Sequence, residues 1–253
     1  MRYAVAVPKL TFNIKDNLDK ILLMMTQASN AGADILLLPE TVLAGLNLCD
    51  DYNIDSHLAY TIGSYPVQVI IDNAKKSKMW TAFGFLELAG DTIFDSAVLV
   101  DTKGKIVLHQ RRMSPGWRAR NANILEYGRG KSLATTVTPW GKTAFLICGD
   151  LFETAFSLAV VAKPDLLLFP FARCFHPKVT EPQKQWDNVE WKKYSAQIQE
   201  IGAFTLMANY IADRELNGGA FGGGYIVDRN GAVIKSIKLF EEGLMIWDQP
   251  EKR

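Results

Sequence analysis

The chain has 253 residues, of which 48% are hydrophobic and 22% are charged, and its formal net charge at pH 7 is +1. These values are typical of a globular protein and lack the charge imbalance of chains that bind nucleic acid or membrane surfaces. The first apolar run, residues 3–7, is too short for a signal-peptide core, and no stretch approaches the ~20 apolar residues of a membrane span. We therefore expect a cytoplasmic protein with no nucleic-acid or membrane partner.

The cysteines and histidines argue against a disulfide framework, a metal site and a serine hydrolase. The three cysteines are an odd number without metal-ligand spacing, and free thiols suit a reducing compartment. The three histidines have neither metal-ligand spacing nor a Gly-x-Ser-x-Gly partner. The glycine-rich segments match no nucleotide-binding motif, because residues 141–143 lack the leading P-loop glycine and residues 218–224 precede a strand. We expect no metal and no cofactor.

The first half of the chain predicts parallel strands linked by a helix, followed by strands joined by turns. Apolar runs at 3–7 and 34–38 are typical of buried strands, and apolar residues recur at helical spacing across 13–31. A strand, a helix and a strand in that order form a crossover unit with parallel strands. A second helix is expected to begin at Pro66, and further strands are expected at 80–86, 94–100 and 105–109.

A polar, irregular segment at 111–131 is a candidate functional loop. Beyond it, the pattern predicts a hairpin at 133–147, a helix to about 163, a strand at 165–169, a helix at 185–201 and a strand at 203–209. Strands at 222–227, 233–238 and 243–247 complete the prediction. No repeat, low-complexity tract or linker divides the chain, so we expect residues 1–253 to form a single domain.

The continuously apolar strands at 34–38 and 165–169 indicate the fold class. Such strands need cover on both faces, unlike strands in which polar and apolar residues alternate. Two sheets packed together, with helices on the outside, provide that cover. The expected class is α/β, with a four-layer α-β-β-α sandwich.

Cys148 stands where an apolar strand breaks at Gly149 and Asp150, before a helical pattern begins. A thiol in a turn that opens onto a helix N-terminus meets free backbone N–H groups and the positive end of the helix dipole. Both favour the reactive thiolate. The alternative is that Cys148 is a small buried hydrophobic residue, as most free cysteines are. This stretch alone leaves both interpretations open.

Glu40 follows Pro39 at the end of another predicted strand. In open α/β sheets, the carboxyl ends of the strands line the ligand crevice. A carboxylate near a thiol can take its proton and later activate water, which is the basis of acyl transfer through a thioester. The alternative for a lone glutamate is a helix or turn cap at the surface.

Two segments resemble signature blocks of the nitrilase, or carbon–nitrogen hydrolase, superfamily: Ala31-Gly-Ala-Asp-Ile-Leu-Leu-Leu-Pro-Glu40 and Leu146-Ile-Cys-Gly-Asp150. The resemblance continues through Gly84-Phe-Leu-Glu87, Asp95-Ser-Ala-Val-Leu-Val-Asp101 and Phe221-Gly-Gly-Gly-Tyr-Ile-Val-Asp228, so it covers nearly the whole chain. It implies the four-layer sandwich, a small amide, nitrile or carbamoyl substrate, no cofactor, and a homo-oligomer. It also implies that Glu40 and Cys148 are catalytic.

The third signature block departs from the family pattern. Where the family has Tyr-Arg-Lys, with the lysine as the third catalytic residue, this chain has Gln110-Arg111-Arg112. Arg112 retains the positive charge that stabilises an oxyanion, but its planar fork is larger and keeps its proton at working pH. The resemblance therefore implies an amidase-type hydrolase with Arg112 as its cationic member. The alternative is a catalytically impaired relative that acts as a ligand-binding or assembly module.

Four further residues are candidates for substrate binding by the same resemblance. Glu126 matches a second glutamate that many members place between the lysine and cysteine blocks, and Gly149 lies beside a backbone N–H group that can hold the oxyanion. Phe171 and Arg173 occupy pocket-lining positions after a strand, where an arginine can bind a carboxylate through two hydrogen bonds. A solvated loop glutamate and a surface arginine are the alternatives for Glu126 and Arg173.

Overall fold

The computed structural model describes residues 1–176, 178–216 and 219–250, and its strands form two sheets. In chain order the strands are β1 (Arg2–Val7), β2 (Ile35–Leu37), β3 (Trp80–Ala89), β4 (Thr92–Val100), β5 (Ile106–Arg111), β6 (Thr135–Thr138), β7 (Gly141–Phe145), β8 (Leu166–Pro170), β9 (Phe204–Ala208), β10 (Ile211–Ala212), β11 (Ala220–Val227), β12 (Val233–Leu239) and β13 (Gly243–Asp248).

The helical segments lie between the strands and are short or of medium length. They are α1 (Ile14–Asn30), α2 (Tyr52–Asp55), α3 (Tyr65–Ser77), α4 (Thr154–Ala162), α5 (Pro182–Gln185) and α6 (Trp191–Ile201). There are also two 3-10 turns, Ser56–Leu58 after α2 and Cys148–Phe152 before α4. A π-helical turn, Trp186–Glu190, lies between α5 and α6. In the described part of the chain, no helix has both the length and the apolar character needed to cross a membrane.

Parallel strands occupy the centre of each sheet. The first sheet has the order β13-β1-β2-β3-β4-β5, in which β1, β2 and β3 are parallel and the outer pairs are antiparallel. The second has the order β10-β11-β9-β8-β7-β6, with β12 beside β11, and its strands β7, β8 and β9 are parallel. Within each sheet, the segments that follow the parallel strands therefore emerge at one edge.

Three hydrophobic clusters fill the spaces between four layers. Because side chains alternate along a strand, β1 contributes Tyr3 and Val5 to the space between the sheets, whereas Ala4 and Ala6 face α1 and α3. A third cluster packs α4 and α6 against the outer face of the second sheet. The four-layer α-β-β-α sandwich expected from the sequence is confirmed.

The helix expected at 185–201 differs from the observed one. Helical backbone begins at Pro182, and a π-helical turn separates α5 from α6. This turn places Trp186 in the core, where its ring packs against Phe171, Tyr194 and Tyr225. A single π-helical turn changes the spacing of the hydrophobic residues very little, so the sequence pattern predicts an ordinary α-helix. Two short elements, α2 and β10, were not predicted, because their four and two residues are too few to show a hydrophobic period.

Candidate active site

Three residues that follow strand ends converge in the structure. Glu40 follows β2, Arg112 follows β5 and Cys148 follows β7. Arg112 Nη1 donates to Glu40 Oε1 at 2.8 Å. A Cβ on Gly149, the residue after Cys148, would be 2.7 Å from Arg112 Nη2. After burial, the Cys148 side chain has the largest influence on the pKa values of both Glu40 and Arg112, which agrees with its place in the same cluster. The structure thus brings together the three residues that the sequence indicates as catalytic.

The Arg112 guanidinium group is buried and is held through two of its nitrogens. Nη1 also donates to Asp95 Oδ2 at 3.2 Å, and Nε donates to Ser114 Oγ at 2.7 Å. No described residue accepts a hydrogen bond from the third nitrogen, Nη2, which lies beside Gly149, where a Cβ would be 2.7 Å from it. Arg112 therefore presents one free donor next to the turn that carries Cys148.

Asp150 joins the Arg112 loop to the Cys148 turn. Its Oδ1 accepts hydrogen bonds from the backbone N–H groups of Ser114 and Met113, at 2.7 and 3.0 Å. Its Oδ2 accepts one from Ile147 N at 3.2 Å. These three bonds come from two separate segments, so the Asp150 carboxylate fixes the position of Arg112 relative to Cys148.

Cys148 occupies a strained turn instead of the N-terminus of a long helix. Its φ is 47°, in the left-handed region that residues other than glycine rarely adopt, and it begins the 3-10 turn Cys148–Phe152. The expected juxtaposition with a helix N-terminus is wrong in this respect, because α4 begins only at Thr154. The Asp150 side chain binds the Ile147 N–H and thereby stabilises the tighter turn. Backbone strain of this kind clusters at functional sites.

The segment after β8 forms the wall beside the thiol. The Cys148 sulfur donates to the carbonyl oxygen of Ala172 at 3.5 Å. Asn209, fully buried after β9, holds the next residue, since Arg173 N donates to Asn209 Oδ1 at 3.4 Å and Asn209 Nδ2 donates to Arg173 O at 3.2 Å. Sequence reasoning missed Asn209, although its place at the end of a strand parallel to β7 and β8 is a usable signal.

Asp95 is a further member of the cluster that sequence reasoning did not single out. It is 1% exposed on β4, and its backbone carbonyl accepts a hydrogen bond from Arg112 N at 2.8 Å, in addition to the side-chain contact. In the strand pattern, Asp95, Ala97 and Leu99 share one face, and the last two belong to the cluster between the sheets. A carboxyl group on such a face needs a partner, and this is the signal that would have found it.

Burial dominates the protonation of the carboxyl groups in the cluster. It raises the pKa of Glu40 to about 8, with the neighbouring Cys148 charge adding to the rise and Arg112 opposing it. Burial, followed by the Glu40 charge, raises the pKa of Asp95 well above its ordinary value. Burial lowers the pKa of Arg112, but the surrounding negative charges outweigh it and raise the net value, so Arg112 is a permanent cation.

A second polar network lies on the opposite face of the first sheet and holds Arg111. Glu87 accepts hydrogen bonds from Arg111 Nε and Nη2 at 2.9 and 2.8 Å, from Ser96 Oγ at 2.6 Å, and contacts His109 Nε2 at 2.9 Å. The Arg111 guanidinium also stacks on the Phe94 ring at 3.7 Å. Because neighbouring residues at a strand end point to opposite faces, fixing Arg111 directs Arg112 toward the site.

The other residues predicted to bind substrate lie outside the hydrogen-bonded cluster. Glu126 is half-buried, and its carboxylate has no hydrogen bond or ion pair with any described residue, although its carbonyl accepts from Ile93 N at 2.7 Å. Phe171 is fully buried and stacks on Phe169. Arg173 Nη2 binds Glu190 Oε2 at 2.9 Å. Their roles toward a substrate stay predictions. Among the described residues, no group of three His, Cys, Asp or Glu side chains is arranged to hold a metal ion.

Comparison with known proteins connects this site to a family. The model of the family described as carbon-nitrogen hydrolase matches residues 4–250. Curated relatives include an aliphatic nitrilase from Rhodococcus rhodochrous, 23% identical over 60% of this chain and 44% of that protein. A formamidase from Helicobacter acinonychis is 25% identical over 59% of this chain and 45% of that protein. The matched part of the chain thus spans less than half the length of these two relatives.

Two further comparisons cover more of both chains. A deaminated glutathione amidase from Dictyostelium discoideum is 22% identical over 90% of this chain and 80% of that protein. The structure of the NitN amidase from Nesterenkonia sp. AN1 superposes with a TM-score of 0.76 at 17% identity, covering 99% of this chain and 93% of that one. This likeness establishes the fold, and the family match over residues 4–250 goes further: the chain belongs to the carbon–nitrogen hydrolase family, also called the nitrilase superfamily.

Proposed function

We propose that the protein hydrolyses the C–N bond of a small carboxamide through a thioester on Cys148. The observation that carries this proposal is the placement of Arg112, which binds Glu40 through Nη1 and keeps Nη2 free beside the Cys148 turn. A base, a nucleophile and a fixed cation at one point are the parts that acyl transfer requires. This arrangement favours catalysis over the ligand-binding or assembly alternative, which requires no such convergence.

In the first step, Glu40 takes the proton of the Cys148 thiol. The ionised form of Glu40 is the competent base, and Arg112 favours that form by opposing the effect of burial on its pKa. The thiolate then attacks the carbonyl carbon of the amide. A carbon–sulfur bond forms, and the carbonyl π electrons move to oxygen as the tetrahedral intermediate develops.

Arg112 Nη2 and the backbone N–H of Gly149 are proposed to hold the resulting oxyanion. A guanidinium fixed at Nη1 and Nε needs no reorganisation when the negative charge develops, which is the condition for electrostatic catalysis. Gly149 leaves the space between the Cys148 turn and the guanidinium open, since a side chain there would meet Nη2 and Ser114 Oγ.

Collapse of the intermediate breaks the C–N bond. Glu40 returns its proton to the nitrogen, so that ammonia leaves from a primary amide and an amine from a substituted one. Glu40 then accepts a proton from water, which attacks the thioester, releases the carboxylic acid and regenerates the thiol. Each turnover therefore consumes one amide and one water, and no oxidant or cofactor enters the balance.

The choice of substrate class rests on the named relatives and neighbours. The relatives include a formamidase and an aliphatic nitrilase, and one structure of the Nesterenkonia amidase carries acrylamide added at its active site cysteine. A short aliphatic carboxamide is therefore our first candidate. A nitrile would use the same residues, and a carbamoyl amine is a further candidate.

The test is ammonia release from formamide, propionamide, propionitrile and N-carbamoylglycine. Wild type is compared with Cys148→Ala, and Cys174→Ala is the matched control because Cys174 is a free and exposed cysteine. We expect turnover by wild type and the control and none by Cys148→Ala. Turnover that survives in Cys148→Ala would place the chemistry elsewhere.

A second experiment tests the nucleophile without needing turnover. In the structure of one mutant of the Nesterenkonia amidase, the acetamide moiety of fluoroacetamide is covalently attached to the active site cysteine. We expect 2-fluoroacetamide to modify Cys148 faster than the more exposed Cys49 and Cys174, as measured by peptide mass spectrometry. Modification that follows exposure alone, together with no turnover of the four substrates, would favour the binding-module alternative.

We also propose a homo-oligomer in which a second copy of the chain covers α4. This helix carries no charged residue from Thr154 to Ala162, and it exposes 81% of Val161 together with part of Leu158. Val161→Lys should lower the mass measured by sedimentation velocity. Val137→Lys, at an equally exposed site on β6, should not. A wild-type protein that sediments as a monomer would contradict the proposal.

Two coarser expectations complete the proposed function. We propose a cytoplasmic location, which the three free cysteines support, and fractionation of tagged protein tests it. We further propose that the chain folds as one domain. A single coincident urea transition by fluorescence and circular dichroism is the expected result, and two separated transitions would contradict it.

A further inference from the structure

Glu40 and Asp95 form a pair of buried carboxyl groups around one nitrogen atom. Both accept hydrogen bonds from Arg112 Nη1, at 2.8 and 3.2 Å, and the two residues are 0% and 1% exposed. Each leaves one oxygen, Glu40 Oε2 and Asp95 Oδ1, buried without a donor among the described residues. A single proton held between two neighbouring carboxyl groups would satisfy both of these oxygens.

The charges around Arg112 also indicate a single proton between Glu40 and Asp95. Three carboxyl groups, those of Glu40, Asp95 and Asp150, face its one positive charge. Burial raises the pKa of Asp150, and the three backbone N–H groups that its carboxylate accepts oppose that rise by stabilising the ionised form. One guanidinium remains for the other two, and two carboxylates that share a buried site do not both stay ionised.

Three other titratable groups among the described residues interact with Glu40, and none of them is a cation. They are Cys148 after β7, Tyr194 on α6 and Tyr210 after β9. Burial is the first cause that raises the pKa values of both tyrosines, so their hydroxyl groups are neutral near pH 7. Glu40 and Asp95 therefore have too little positive charge nearby for both to be ionised, and a proton neutralises one of the two carboxyl groups.

We propose that Asp95 keeps this proton when Glu40 is ionised and donates it in a hydrogen bond to Glu40, so that Asp95 is a positioning residue that stabilises Glu40 as a base. The catalytic part of this inference rests on the proposed function, whereas the shared proton itself does not. A neutral donor stabilises the Glu40 carboxylate, while an ionised neighbour would oppose its ionisation. The influences on the pKa of Glu40 agree with this hydrogen bond. Burial raises the pKa of Glu40, and the hydrogen bond with Asp95 is among the influences that lower it.

Asp95→Asn tests this proposal through the pH profile of kcat/KM. Asparagine retains an oxygen for Arg112 and an N–H donor for Glu40, so it mimics protonated Asp95. We expect the acid limb of Asp95→Asn to coincide with that of wild type, and the limb of Asp95→Ala, which lacks the donor, to move to higher pH. An acid limb in Asp95→Asn that moves down by about one pH unit or more would overturn the proposal, because it would show that a negative charge had been removed.

Infrared difference spectroscopy provides a readout that does not depend on activity. At a pH above the Glu40 pKa of about 8, where Glu40 is mostly ionised, we expect the carbonyl band of a protonated carboxylic acid in wild type and its loss in Asp95→Asn, with no loss in the exposed control Glu241→Gln. If Asp95→Asn loses no such band, the shared proton is refuted whatever the activity. A band that is lost in a protein without turnover on any substrate would support the shared proton and count against the proposed hydrolase function.

Discussion

Glu40 lies directly across Gly84, where a Cβ atom would stand 2.7 Å from Glu40 Cα and 2.9 Å from Thr41 N. Two hydrogen bonds hold this contact, from Gly84 N to Pro39 O and from Val42 N to Gly84 O. Thr41 already has a φ of 43°, which is rare for a β-branched residue, so the turn has little freedom to move away. The position of the candidate base, Glu40, therefore depends on the absence of a side chain at Gly84 in β3.

Gly84→Ala should displace Glu40 while the rest of the fold forms. We expect the free energy of unfolding to fall by about 1–3 kcal/mol through overpacking, and kcat to fall by about 10²-fold because the base is misplaced. Urea unfolding and steady-state kinetics measure the two effects. Gly63→Ala is the control, since a Cβ at Gly63 meets no atom within 4 Å. A Gly84→Ala protein with wild-type kcat would contradict the argument.

Arg112→Lys should reduce kcat even though it preserves the charge. The guanidinium binds Glu40 and Asp95 through Nη1 and Ser114 through Nε, and still has Nη2 available. One ammonium group cannot reproduce this planar set of donors. Losing an oxyanion donor costs about 10²–10³-fold in kcat, and we expect a decrease in that range, measured by ammonia release.

Arg120→Lys is the matched control for Arg112→Lys. Arg120 lies in the same loop, is exposed, and its side chain makes no hydrogen bond or ion pair with the described residues. It should retain wild-type kcat. If Arg112→Lys instead gains activity over wild type, Arg112 is an obstacle to catalysis in this chain, and the impaired-relative interpretation becomes the better one.

Glu87→Gln should destabilise the protein in a pH-dependent way. Burial raises the pKa of Glu87, but hydrogen bonds from His109, Arg111 and Ser96 outweigh it and lower the pKa to about 2. A lowered folded-state pKa contributes stability above the ordinary glutamate value of about 4.5, and that stability is lost as the pH falls toward 2. The shift corresponds to about 3 kcal/mol.

Urea unfolding of Glu87→Gln near neutral pH and near pH 3 measures this effect. The difference in unfolding free energy from wild type should be a few kcal/mol near neutral pH and should shrink at the lower pH. Glu241→Gln, at an exposed carboxyl group, should show no such difference. A Glu87→Gln difference that stays constant with pH would show that packing, and not the Glu87 charge, accounts for the loss.

The sequence pattern predicts the strands and the main helices because hydrophobic periodicity depends on which faces are buried. It also places Glu40 and Cys148 at strand ends, where parallel strands bring their following segments together. It misses Asp95 and Asn209, because each acts through a partner that is distant in the chain. It misses Ser114 because the contact of its hydroxyl with Arg112 depends on the conformation of an irregular loop. It also misses the 3-10 turn at Cys148, since two of the three backbone N–H groups that bind the Asp150 carboxylate belong to the Arg112 loop, which is distant in the chain.

The pH dependence of activity follows from the raised pKa of Glu40. Burial, followed by the Cys148 charge, raises this pKa to about 8, so at lower pH an increasing fraction of Glu40 is protonated and cannot take the thiol proton. We expect kcat/KM for a neutral amide to fall by about tenfold per pH unit below that value. The apparent pKa describes the coupled cluster of Glu40, Asp95 and Cys148 and not one residue alone. Unfolding measured across the same pH range separates this limb from denaturation, and a profile that stays flat down to about pH 5 would show that Glu40 ionises like an ordinary carboxyl group.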